Sequence, residues 1–212
     1  MSSTQEQLDA IKDMRKMMER SSKFLSFSGL AGIIIGLIAL LGMAAFCIQF
    51  KYNPLQGGYT RILLNEDGGP NFDALSYLLK DALIVFVLST LVECVFAYKK
   101  ATKVNTPIWD QTSKRVLINL LIPFITGVIV CSILIVKNQI LLMAPASLIF
   151  YGLSLVNASK YSIDQIRGLG ILEIILGLIS MYWMDLGLIC WAIGFGVLHI
   201  IYGIFIYSNN EK

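Results

Sequence analysis

Six apolar runs, each long enough to cross a bilayer, dominate this chain and leave it few ways to fold. A hydrocarbon core about 30 Å thick takes roughly 20 residues of helix. Backbone groups inside it must be satisfied within the segment or by a closed barrel. The runs are Phe24–Phe50, Ala82–Tyr98, Val116–Val136, Ile140–Asn157, Ile166–Trp183 and Leu186–Tyr207. They predict an all-α polytopic membrane protein with six transmembrane helices in antiparallel hairpins. Composition agrees: 56% of the 212 residues are hydrophobic and 15% charged, with a mean hydropathy of +0.71. The short links Lys137–Gln139 and Met184–Asp185 predict two tight hairpins.

Lys and Arg in the connecting segments set an orientation. With both ends in the cytoplasm, all but four of the 17 basic residues fall on that side, the exceptions being Lys51, Arg61, Lys80 and Lys137. This predicts a multi-pass protein of the inner (plasma) membrane. The polar start of the chain and the lack of a small-residue cleavage site predict an uncleaved first helix. Aromatic residues near the span ends, such as Tyr52, Tyr77, Tyr98 and Trp109, suit interfacial anchoring. A net charge of +3 makes no case for nucleic acid.

Three segments lie outside the spans. Residues 1–23 predict a cytoplasmic amphipathic helix over 4–22, with Leu8, Ile11, Met14 and Met18 on one face. That stripe suits either the inner leaflet or a cytoplasmic partner protein. Residues 51–81 form the outer loop, rich in turn signals. Its Glu66, Asp67 and Asp73 match no calcium-loop spacing, and Asp73 suits the start of the following helix. Residues 99–115 form a cytoplasmic loop broken at Asn105-Thr106-Pro107, and 208–212 a short tail.

Ionisable residues in spans are costly and point to function. Glu93, Glu173 and His199, the single histidine, each fall roughly 8–12 Å inside the cytoplasmic boundary at 1.5 Å per residue. Asn119 and Asn157 share that layer. The expectation is a cytoplasm-facing polar pocket of Glu93, Asn119, Asn157, Glu173 and His199, floored by Tyr151 and Tyr202. Three readings are open: a ligand or ion site, hydrogen bonds that glue helices together, and proton transfer.

Small residues mark close helix contacts: Ser28, Gly32 and Gly36 in the first span, Gly194, Gly196 and Gly203 in the last. Gly170 to Gly177 echoes Gly29 to Gly36, and a Tyr-Gly pair recurs at Tyr151-Gly152 and Tyr202-Gly203, which suggests three related hairpins. The same faces suit a homo-oligomer. Pro123 and Pro145 are expected to kink their helices and to free carbonyls that neighbours must satisfy. Cys47, Cys94, Cys131 and Cys190 lack metal-binding or redox spacing and read as buried apolar residues.

One histidine excludes multi-histidine zinc and bis-histidine haem sites within one chain. HExxH, Walker A and GxSxG motifs are absent. No cofactor is implied, and the metal question is left open by two glutamates and one histidine. The functional expectation is a non-catalytic sensor or accessory subunit that binds a ligand or ion. The alternative is a small proton- or ion-coupled transporter or channel, for which the outer half of the spans offers little beyond Ser89, Thr126 and Ser132.

The stretches IKDMRKMMERSSKF, APASLIFYGLSLVNASKY and CWAIGFGVLHIIYGI resemble an uncharacterised family of small six-helix bacterial membrane proteins with no assigned activity. The resemblance implies the six-helix fold and brings no site residues. The glycine-spaced hairpins are also similar to the six-helix acid-resistance membrane proteins, through generic small-residue spacing.

Overall fold

The computed structural model describes residue 7 and residues 28–104, 109–163 and 165–210. The predicted amphipathic helix over 4–22, the break at 105–107 and the last two residues lie outside them, apart from residue 7.

Described α-helices run from Gly29–Gln49 (α1), Tyr59–Leu63 (α2), Phe72–Val104 (α3), Gln111–Val136 (α4), Met143–Ala158 (α5) and Gln165–Tyr182 (α6). The last run continues from Gly187–Trp191 (α7) through a π-helical stretch, Ala192–Leu198, into His199–Asn210 (α8).

Among the described residues, five helices are long and apolar enough to cross a membrane: α1, α4, Ile140–Tyr161, α6 and Met184–Asn209. These are five of the six expected spans. The predicted second span, Ala82–Tyr98, is the middle of α3, which has 33 residues and carries Asp73, Lys80 and Asp81 before that stretch and Glu93, Lys99, Lys100 and Lys103 in or after it. A helix of this length reaches about 50 Å, and Leu83, Ile84, Phe86, Leu88 and Leu91 stay exposed along it. Large apolar side chains are exposed on α4 and α6 as well, including Ile122, Val136, Ile175 and Leu178. Water would penalise such surfaces, whereas lipid would not.

The predicted outer loop, 51–81, is shorter than expected, because residues from Phe72 on are already helical. Helix α3 begins at Phe72 because Asn71 caps it, its Oδ1 accepting from the Ala74 amide at 3.2 Å. Asp73 falls in the first turn. The remaining residues 51–71 form a folded cap. The Thr60 hydroxyl donates to Asp185 at 2.6 Å, tying the cap to the α6–α7 turn. Beneath it Phe46, Tyr59, Leu63, Leu75, Ile140 and Leu188 make a buried core.

Glycines decide which helices touch. A Cβ placed on Gly203 would lie 2.7 Å from both the Gly29 carbonyl oxygen and the Ile33 nitrogen, so α1 and α8 cross backbone to backbone. A Cβ on Gly152 would meet the Gly170 carbonyl oxygen at 2.5 Å and the Ile174 nitrogen at 2.9 Å where α5 crosses α6. The registers correspond residue by residue. Gly36 faces Gly196 and Ile200 as Gly177 faces Pro145 and Ile149. The repeat hinted at by the two Tyr-Gly pairs is thus two copies of one antiparallel crossing, between the first and last helices and between α5 and α6.

The prolines behave differently from expectation. Pro145 sits in the first turn of α5, where its missing N–H would have had no helical partner, so no kink is needed. Pro123 lies inside the unbroken α4 and leaves the carbonyl four residues back, that of Asn119, without its donor. Asn157 Nδ2 supplies one from α5 at 2.8 Å. Asn157→Leu is therefore expected to destabilise the protein by about 0.5–1.5 kcal/mol, the net loss of a half-buried hydrogen bond. Combined with Pro123→Ala, the same substitution should be close to neutral. A thermal-unfolding double-mutant cycle measures this coupling, and additive effects would refute it.

All four cysteines are free. Cys190 is buried, Cys47 and Cys131 are half-buried and Cys94 is exposed on α3, so the expectation of buried cysteines holds for one of the four in full.

Candidate functional site

Three of the seven predicted site residues meet midway along their helices. Glu173 on α6 is fully buried and His199, at the start of α8, is 6% exposed. Their approach is 3.6 Å, from Nδ1 to Oε1. Tyr151 on α5 reaches the opposite ring nitrogen, its hydroxyl 2.8 Å from Nε2.

The ring's hydrogen bonds assign its tautomer. Nδ1 lies 2.9 Å from the Gly194 carbonyl, which can accept but not donate. Nδ1 therefore carries a proton, and in the neutral ring Nε2 accepts from the Tyr151 O–H. Gly194 precedes His199 by five residues, and the π-helical stretch between them is a local device found often at functional sites. Gly194 is also required sterically, because a Cβ there would collide with the Glu173 carboxyl and with Leu148.

Glu173 is left in an unusual position. Neither carboxyl oxygen has a hydrogen-bond partner, although both are buried. The His199 Nδ1 donor is committed to Gly194 and stands just beyond hydrogen-bonding distance of Oε1. A shift of under about 1 Å would bring it into range. A cation, a proton donor or a polar ligand group at the carboxyl would supply what the chain does not.

The other predicted residues lie apart. Asn157 fastens α5 to α4 near their ends through the Asn119 carbonyl, while Asn119 Nδ2 donates within α4 to the Arg115 carbonyl at 2.8 Å and Lys160 Nζ donates to Asn157 Oδ1 at 3.2 Å. Their placement follows from Pro123. Tyr202 joins the apolar cluster of Leu155, Ile163, Ile166, Leu169 and Ile206, with its hydroxyl against Gly168. Glu93 is half-buried on α3. The single polar layer thus resolves into a mid-helix triad and a set of helix-end fasteners. Helix α6 is short, 18 residues, so a depth of about 10 Å is already near its middle.

Sequence reasoning missed an aromatic row. Trp191, Phe195 and His199 follow one another at helical spacing, with ring centroids 5.0 Å and 6.1 Å apart. Tyr151 packs on both Phe195, at 4.9 Å, and His199, at 5.6 Å. The i, i+4, i+8 spacing was the available signal. At the far end of the row, Trp191 lines a cavity of about 120 Å³ under the cap.

No family, curated protein or solved structure matches this chain. The site has to be read from its own chemistry. Among the described residues no group of three or more His, Cys, Asp or Glu is placed to hold a metal. Glu173 and His199 offer two ligands, so a metal there would need further donors from its own ligand or from water.

Proposed function

We propose that this chain is a multi-pass protein of the inner (plasma) membrane, both ends cytoplasmic, in which Glu173, His199 and Tyr151 bind a small ligand or an ion. It acts without catalysis, as a sensor or accessory subunit. The observation that carries this reading is the Glu173 carboxyl, fully buried with both oxygens unpartnered, 3.6 Å from a histidine nitrogen. A structural fastener would be expected to close its hydrogen bonds, as Asn157 does. Helix α3 would be the sixth span, which puts both termini on the side richest in Lys and Arg. Coupling to a partner would run through residues 4–22.

A second reading, a small proton- or ion-coupled transporter, is favoured by the aromatic row. It links the triad to a cavity at the opposite end of the bundle, lined by Asp81 and Ser147 among others. Transport needs polar groups in both halves, and these two add to the thin supply there.

The test is a thermal-stability screen of purified protein in detergent across pH, monovalent and divalent cations and small metabolites. A species that binds the native state raises apparent stability by mass action, by about 2.7 kcal/mol at one hundred times its Kd. The expected result is a stabilising species whose effect disappears in Glu173→Gln and His199→Ala. Flux of that species into liposomes would select the transporter reading. A hit that survives both substitutions would overturn the assignment to this triad.

A further inference from the structure

The cavity under the cap lies at the other end of the bundle from the basic cytoplasmic segments and is independent of Glu173. Its walls come from α1, the cap, α3, α4, α5 and α7, and include Phe46, Tyr59, Asp81, Leu188 and Trp191. At about 120 Å³ it is comparable to an apolar cavity of about 150 Å³ that takes up benzene.

Two of its polar groups have no use within the protein. Tyr59 is completely buried, and its hydroxyl has no hydrogen-bond partner. Burial, and then the neighbouring Tyr52, push its phenol above the ordinary tyrosine range, so it stays an O–H donor and acceptor. Asp81 turns inward from α3 against Gly42 of α1, where a Cβ would stand 2.9 Å from its Oδ2. The glycine makes room for the carboxylate. Among the described residues no basic side chain pairs with Asp81.

A carboxylate, aromatic rings from Phe46, Tyr59 and Trp191, and a largely apolar wall suit one ligand class. Aromatic faces attract cations, more strongly when water is excluded. We propose that this cavity binds a small organic ammonium ion with a compact apolar body. Its charge rests at Asp81, its N–H groups reach the Tyr59 hydroxyl and Asp81, and its body packs on Phe46, Leu188 and Trp191. Occupancy at Trp191 would then be felt along the row that ends at His199.

The test uses the full chain in detergent, titrated calorimetrically with benzylammonium and, separately, with its neutral counterpart benzyl alcohol. The proposal expects saturable benzylammonium binding, weaker binding of the alcohol, and a loss of about tenfold or more in benzylammonium affinity on Asp81→Asn. The alcohol's affinity should not change in that variant, which shows that the cavity is still formed. Gly42→Ala, which displaces the carboxylate without removing it, should weaken benzylammonium in the same direction. Equal affinity for the two compounds would mean a lipid- or solvent-filled slot and overturn the proposal. So would unchanged affinity in Asp81→Asn, or no saturable heat at millimolar benzylammonium.

Discussion

Gly203→Val is expected to lower the unfolding temperature in detergent by about 10 °C. A Cβ at this position would stand 2.7 Å from backbone atoms of α1 on two sides, the Gly29 oxygen and the Ile33 nitrogen. No rotamer relieves a clash with backbone, so α1 and α8 must separate. Overpacking typically costs about 1–3 kcal/mol and sometimes more, and about 2–4 °C follows each kcal/mol in a chain of this size. The upper end applies because the obstruction is main chain. Gly152→Val should match it, since α5 meets α6 in the same register. Leu41→Ala, on an α1 residue that is 69% exposed, should change stability by no more than about 0.5 kcal/mol. If Gly203→Val melted with the wild type, the first and last helices would not be in contact at that point.

Glu173→Met and His199→Leu are expected to act in opposite directions. Met is close to Glu in size and removes two buried oxygens that have no partner. Replacing buried ionic groups with apolar ones of similar volume is often neutral or stabilising by about 1–4 kcal/mol. His199, in contrast, serves both neighbours. Leucine there would orphan the Tyr151 hydroxyl and the Gly194 carbonyl, at about 1–3 kcal/mol each. Thermal unfolding of the two variants in one detergent measures both signs. Gain from Glu173→Met together with loss of the ligand response would identify a residue kept for function at the expense of stability. A loss of stability in both would show Glu173 to be a structural partner of His199, and the triad would then be ordinary helix glue.

The two variants probe features of very different legibility. The helices could be read because hydropathy and length act segment by segment, and the bilayer imposes helix on any long apolar run. The glycine spacing was legible for the same reason: Gly29 to Gly36 and Gly170 to Gly177 each mark one face of one helix. That Gly29 meets Gly203 was not, because the first and last helices lie at opposite ends of the chain. Depth along a helix, too, can be counted from its ends. This is why Glu173 and His199 were found at one level, and why Asn119 and Asn157 were grouped with them although they face elsewhere.

Rotation about each helix axis is a different matter, since it depends on the neighbours against which each face is buried. Helix pairing aimed Asn157 at the carbonyl freed by Pro123, set Tyr202 on Gly168 and left Tyr151 to His199. It also set Asp81, Tyr59 and Trp191 around one cavity, although they belong to three separate elements and share no local pattern. The sequence by itself determined the helices, the apolar surfaces that they expose and the rare polar groups that they carry. The tertiary structure decided which of those groups meet, because a contact between helices is a property of two faces and their rotation, and neither segment holds that information alone.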